Sequence, residues 1–441
     1  MFSNRKLFLL LLPIIAEQFL NSLMGMADSM MVSNVGAAAL SGVSLVDSIN
    51  ILVVQAFNAM ATGGVIICST CIGQKDYKRA GESARQVLLV STVISVATMV
   101  LGLIFRHGLL LLVFGKVDAD VMKAAGIYFL LTILSYPAVA IAAACSAIFR
   151  AQSNTRLPMN ISVVSNLLNV AGNAILIWGA GLGVTGAAIA TLLSRVFSAV
   201  VLLIKLRNED QEIYIRDYLK IRPDAGKIHT ILAMGIPNGI ENSMFQFGKL
   251  AIQSTVSTLG TIAIAAQAMT NIFENMNGIA GVGVGIGLMT IVGQCLGAGR
   301  KDEAVYYTKK MILWGYIVIF ISCLFTYAIA RPVTALAGME PESASLCIYM
   351  LGWITIIKPL FWAPSFITAY AMRAAGDVRF SMITATLTMW LCRVTLAVFL
   401  IRVAHIGAMG VWIGMFCDWG IRGIIFTIRF IHGKWIHQLI K

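Results

Sequence analysis

Apolar runs of 20 or more residues recur from one end of the chain to the other. As helices rising about 1.5 Å per residue, such runs cross the roughly 30 Å hydrocarbon core of a bilayer. In lipid every backbone polar group must be satisfied internally, so the runs are either helices or strands of a closed barrel. Barrel strands would show as alternating segments of about ten residues, and the sequence has none. The chain is therefore expected to be an all-α integral membrane protein. Its charge content agrees. Only 12% of the 441 residues are charged, against about 25% in soluble proteins.

Twelve spans are read, at about 7–33, 38–68, 86–105, 121–149, 157–179, 184–204, 230–258, 261–292, 311–330, 343–371, 380–401 and 406–430. With both termini in the cytoplasm, 23 of the 33 Lys and Arg fall inside, 5 outside and 5 deep within spans, counting Arg429 and Lys123 with the loops they adjoin. That asymmetry sets the orientation in the cell membrane. It also accounts for the net charge of +13 without nucleic acid as a partner. The first span follows Arg5 and Lys6 but is too long for a signal peptide, and is expected to be retained. The five His sit at span ends or in loops, which speaks against an intramembrane His metal site. Cys68 and Cys71 form a CxxC with no companion pair, and are read as packing residues.

The sequence is written twice. At a shift of 224 residues Pro13 falls on Pro237, Glu17 on Glu241, Gly36 on Gly260, Gly73 on Gly297 and Ala80 on Ala304. GVTGAAIA (183–190) meets GAMGVWIG (407–414), and one gap residue aligns FRAQSNTR (149–156) with MRAAGDVR (372–379). The expected domains are an N-terminal six-helix lobe, 1–206, a cytoplasmic linker, 207–229, and a C-terminal six-helix lobe, 230–441. Residues 205–229 carry 11 charges and leave room for a short amphipathic helix. Six spans per repeat make the two bundles parallel, related by an axis along the membrane normal, which is a transporter plan.

Ionisable groups in spans are costly and mark function or partners. Glu17 and Asp28 lie eleven residues apart, about three helical turns, and share one face of span 1 with Asn21. Span 7 keeps Glu241 and adds Asn242, Gln246, Lys249 and Gln253, but has Ile252 at the position of Asp28. Span 5 offers Asn166, Asn169 and Asn173 on one face. Amide oxygens there could ligate Na⁺ or bond a protonated Asp28, or could instead join helices. Asp47 and Glu274 add acids in spans 2 and 8; Arg195, Lys249, Lys358, Arg393 and Arg422 add cations. Asp418 and Arg422 are spaced as i,i+4 partners. GVGVGIG (281–287) lies within a span and is read as close helix packing. No P-loop occurs and no convergent catalytic set is evident, so the chain is not expected to be an enzyme, and its energy would come from an ion gradient.

PxxxE (13–17) and MADSMMV (26–32), IGQKDYKRA (72–80), NLLNVAGNAILIWG (166–179), GIPNGIENSMF (235–245), IAAQAM (264–269), GQCLGAGRKDEA (293–304) and MRAAGD (372–377) together resemble the bacterial multidrug and toxic compound extrusion (MATE) transporters. The resemblance spans nearly the whole chain. It implies two six-helix lobes and export of amphiphilic, often cationic, small organic molecules by antiport with Na⁺ or H⁺. No cofactor is expected, and the protein is expected to act as a monomer in membrane lipid. Asp28 matches the family's coupling acid and Asn169 its span-5 Asn, a possible Na⁺ pair. Asn173 stands where several members have Asp. The coupling and substrate set is thus Asp28, Glu17, Asn21, Asn166, Asn169, Asn173, Glu241, Gln246, Lys249 and Glu274. The alternative is a flippase for a lipid-linked oligosaccharide or related anionic lipid, with Lys249, Lys358 and Arg393 holding phosphates.

Overall fold

A computed structural model of the protein describes residues 1–436 except 116 and 219; His437 lies outside the described residues. Among them there are helices and no strands. The first repeat contains α1 (Asn4–Ser33), α2 (Ala37–Gly73), α3 (Tyr77–Phe114), α4 (Ala119–Leu134), α5 (Tyr136–Ala151), α6 (Arg156–Asn173) and α7 (Gly183–Leu206). The second contains α8 (Ala225–Val256), α9 (Thr261–Gly297), α10 (Lys301–Leu336), α11 (Pro341–Ala374), α12 (Val378–Thr388), α13 (Leu396–Arg402) and α14 (Met409–Ile431). A π-helical segment, Ala174–Gly179, prolongs α6, and another, Met389–Thr395, joins α12 to α13.

These helices form the twelve expected passes. Ten are long and apolar enough to cross a bilayer, and α4 with α5 makes an eleventh, bent by 45°. The twelfth, α8, has 32 residues and carries the polar stripe from Glu241 to Gln253. The sequence places one unbroken span at 121–149. The structure breaks it at Ser135, just before Pro137 in the first turn of α5. Proline lacks the N–H that would bond back one turn, and its ring crowds the carbonyl there. Several helices overrun their apolar runs. α2 and α3 have 37 and 38 residues, about 55 Å each, because only the lipid-crossing part must be apolar.

The chain forms two compact units, residues 16–239 and residues 1–15 with 240–441. The divisions at 15/16 and 239/240 are again one repeat period apart. Each cuts the first helix of its repeat at the equivalent point. Turns repeat too: Gly36 and Gly260 precede α2 and α9 with φ of 143° and 93°, values that glycine adopts without a Cβ clash.

Within unit 16–239, one apolar cluster joins α2, α4, α5 and α7 around Phe57, Phe129 and Tyr136. A second includes Ile213 and Ile215, so the charged connection is docked and not free. Gln152 bonds Ile213 at both amide groups, 3.1 and 3.3 Å. Gln86 accepts from Asp224 N at 3.1 Å and donates to Arg222 O at 2.7 Å. No helix forms among the described residues of 208–224; the expected room for an amphipathic helix is taken by turns and bends that bury Ile213 and Ile215.

In the other unit, the glycine run of α9 serves packing, as expected. A Cβ on Gly283 would stand 3.1 Å from Ile15 Cα, and one on Gly285 would enter the Tyr370 ring. α1 and α11 therefore meet α9 at closer range than any side chain would permit.

Candidate functional site

In unit 16–239 the polar face of α1 meets the asparagine face of α6. Asn21 Oδ1 accepts from Ser162 Oγ at 2.9 Å and from Asn166 Nδ2 at 3.1 Å. Two turns on, Asn173 Nδ2 donates to Asp28 Oδ1 at 2.7 Å. Asn169 sits between Asp28 and Thr191 of α7. With its NH₂ toward the carboxylate it donates at 2.6 and 3.2 Å, and its oxygen accepts from Thr191 Oγ1 at 3.2 Å. Asn169 and Asn173 are buried. Asn173 Oδ1, also buried, has no hydrogen-bond partner among the described residues. The π turn begins right after Asn173; such wide turns recur at functional sites.

Asp28 has no ion-pair partner within 4 Å among the described residues, in contrast to Glu17, which takes Arg150 at 2.8 and 2.9 Å. Although they share a face of α1, the two acids have different surroundings. Asp47 accepts from Asn50 at 3.2 Å, and Asn50 accepts from Tyr136 at 2.9 Å. Arg195 donates to Ser135 Oγ at 2.8 Å.

In the other unit, Glu241 pairs with Arg373 at 2.5 Å. Glu274 pairs with Lys358 at 2.7 Å; this fully buried ammonium also bonds the Glu274 carbonyl and Asn277 Oδ1. Asp418 holds Arg422 at 2.6 and 2.9 Å, as the spacing predicts. Gln246 and Lys249 make no hydrogen bond or ion pair among the described residues; Lys249 Nζ lies 4.9 Å from the Phe245 ring centre. Ile252, opposite Asp28 in the repeat, is buried in an apolar cluster with Met389 and Val394.

The structure thus joins Asp28, Asn169 and Asn173 in one cluster and Asn21 with Asn166 beside it. It sets Glu17, Glu241 and Glu274 apart, each on its own cation. Sequence reasoning missed Thr191 and Ser162, single hydroxyls without a pattern. It also missed Arg150 and Arg373 as partners, although both stand inside the aligned motifs FRAQSNTR and MRAAGDVR. A Glu and an Arg recurring in step were the available signal.

A family model, MatE, matches residues 13–175 and again 237–399. The chain belongs to the MatE family. Both ends of the two matches are 224 residues apart, the register read from the sequence. The chain is 25% identical to the "Probable multidrug resistance protein NorM" of Thermotoga maritima, over 98% of this chain and 93% of that one. It is 22% identical to mouse "Multidrug and toxin extrusion protein 2", over 96% and 73%. In fold it is similar to an outward-facing multidrug resistance MATE family transporter, with a TM-score of 0.89 at 19% identity over 97% of this chain and 96% of that one. A MATE in a bent conformation gives 0.86 at 18% identity over 98% and 99%. As a MatE protein the chain is a multi-pass membrane transporter of the multidrug efflux type and not an enzyme.

Proposed function

We propose that this MatE protein exports amphiphilic organic compounds, cations among them, by antiport with Na⁺ or H⁺, and that Asp28 takes the coupling ion. It acts in the cell membrane as a monomer, both termini cytoplasmic. The observation that carries this reading is the unpaired Asp28 carboxylate beside the unsatisfied buried Asn173 oxygen. An ionised Asp28 takes the amide N–H groups of Asn169 and Asn173. A protonated Asp28 becomes a donor and needs an amide oxygen; a bound Na⁺ needs oxygens from the same groups. Either way ion binding re-faces the amides that tie α1 to α6, and α1 is released to rearrange.

The energies are sufficient. Reversing a 1:99 state ratio needs about 5.5 kcal/mol. One charge moving through 100 mV supplies about 2.3 kcal/mol, and a concentration gradient adds to it, so one or two ions per cycle reach that scale. Of the three cations that the flippase reading assigns to phosphates, Lys358 is already bound to Glu274 and Asn277.

The test uses proteoliposomes and a fluorescent organic cation, with a Na⁺ gradient and a pH gradient imposed separately. Transport driven by one of them names the ion; transport driven by neither, in folded protein, contradicts the reading.

A further inference from the structure

Within the membrane-spanning part of unit 1–15 and 240–441, Glu241, Glu274 and Asp418 are each neutralised by a cation. Two cations are left over, Lys249 and Arg393. Neither has a carboxylate within 4 Å among the described residues. Arg393 is only 3% exposed; among the described residues the sole hydrogen bond of its side chain is a 3.6 Å contact to Met389 Sδ. Its guanidinium carbon lies 5.1 Å from the Phe245 ring centre, and Lys249 Nζ lies 4.9 Å from the same centre. The two charges are therefore no more than about 10 Å apart, both within reach of the same aromatic ring.

The fold builds this arrangement. Gly248 lets α8 press against the π segment, since a Cβ there would collide with Met389 Cε. The π turn presents Arg393 within that contact. At the repeat shift of 224, Arg393 falls on Asn169 and Ile252 on Asp28. Where one repeat has an acid and an amide, the other has an apolar residue and a cation. Burying an uncompensated guanidinium costs several kcal/mol. Stacking on one ring returns about 0.5–2 kcal/mol, and the two acids that act on Arg393 through space, Asp418 and Glu274, are each already bound to another cation, so the guanidinium has no carboxylate of its own. Lys249, exposed on the same helix face, makes the spot reachable.

We propose that Lys249 and Arg393, both set over the Phe245 ring, form an anion-accepting subsite for the carboxylate, sulfonate or phosphate of an amphiphilic substrate. It rests on the export reading above and deepens it: the substrates include zwitterionic and acidic amphiphiles as well as cations. Phe245 supplies the face for an aromatic body, and the two cations fix the acidic group.

The test is equilibrium binding of two dyes to the full-length protein in phosphatidylcholine nanodiscs. Rhodamine B and its ethyl ester share one xanthylium and differ only in the free carboxylate. Wild type is expected to bind rhodamine B about tenfold tighter than the ester. Lys249→Gln and Arg393→Gln abolish that preference and leave the ester's affinity unchanged, while Lys249→Arg and Arg393→Lys retain it. Lys249 is exposed, so its variants report even if Arg393 proves necessary for folding. Equal weakening of both dyes, or no preference in wild type, overturns the subsite and leaves the export reading standing. Failure of wild type to bind either dye counts against both. Repeating the titration in phosphatidylglycerol nanodiscs separates the sources. If rhodamine B alone is displaced, the headgroup of an anionic lipid fills the subsite; if it still binds, the anion is that of a soluble substrate.

Discussion

Glu17 and Arg150 form a part-buried ion pair at 2.8 Å, Glu17 itself buried, and one repeat period later Glu241 and Arg373 form another at 2.5 Å. In each repeat the first helix carries the acid, and the arginine comes from the end of the fourth pass. The duplication has preserved a tie between passes, where it has not preserved Asp28, whose counterpart is Ile252.

Removing one partner of a buried pair strands the other charge, which costs about 3–5 kcal/mol. Arg150→Met should therefore lower stability by that amount, read as the shift in unfolding of the detergent-solubilised protein. Replacing both partners, Glu17→Leu with Arg150→Met, should recover most of it. Strictly additive losses would show that the two side chains do not act as a pair.

The close seams of α9 set a second expectation. Gly283→Leu must push against the Ile15 backbone, and overpacking of this kind costs about 1–3 kcal/mol. Gly81→Leu, where a Cβ would meet open space, should change stability by less than about 0.5 kcal/mol. Similar unfolding temperatures for the two variants would contradict the packing role of the glycine run.

The docked connection is tied by Lys227 to Glu82. The hydrogen bond and charge of Lys227 hold the Glu82 carboxyl below the ordinary glutamate value, and Glu82 raises Lys227. The carboxylate's contribution is thus present above about pH 4.3 and fades as the pH falls through that range. The ammonium's is present below about pH 10.4 and fades above it. At pH 7 amide exchange across 207–224 should be faster in Glu82→Gln than in wild type, and the difference should close as the pH drops below about 4. A difference that persists in acid would mean the tie is not this ion pair.

Asn173 should matter more than its neighbour Asn166. A hydrogen bond to a charged group is worth about 1.5–3 kcal/mol. Asn173→Ala is expected to reduce gradient-driven flux about tenfold or more, whereas Asn166→Ala, which reaches only Asn21, should change it less than about twofold. Initial rates in proteoliposomes decide it, and equal losses would dissolve the distinction.

Much of this was legible in the sequence because apolar length and helical spacing are local properties. The twelve passes, the repeat, and the two polar faces, Asp28 with Asn21 and Asn166 with Asn169 and Asn173, all follow from periods of 3.6 and 224; that the two faces meet is one of two readings the spacing leaves open. Ion-pair partners were not legible, since Lys358 and Glu274 are 84 residues apart and only packing brings them together. The docked connection was hidden by its charges, although Ile213 and Ile215 alternate with Tyr214 as a half-buried strand of chain would. The break at Ser135 was signalled by Pro137, but Pro359 and Pro364 lie within an unbroken α11, so proline alone does not decide where a pass bends.

The central claim is that Asp28 takes the coupling ion. The most direct measurement compares wild type and Asp28→Asn in the same proteoliposomes, following both gradient-driven uptake of a fluorescent organic cation and its equilibrium binding. The account predicts that Asp28→Asn still binds the cation with an affinity within about threefold of wild type but no longer responds to the gradient that drives the wild type. If Asp28→Asn retains gradient-driven transport, the coupling ion is carried elsewhere and the account is wrong.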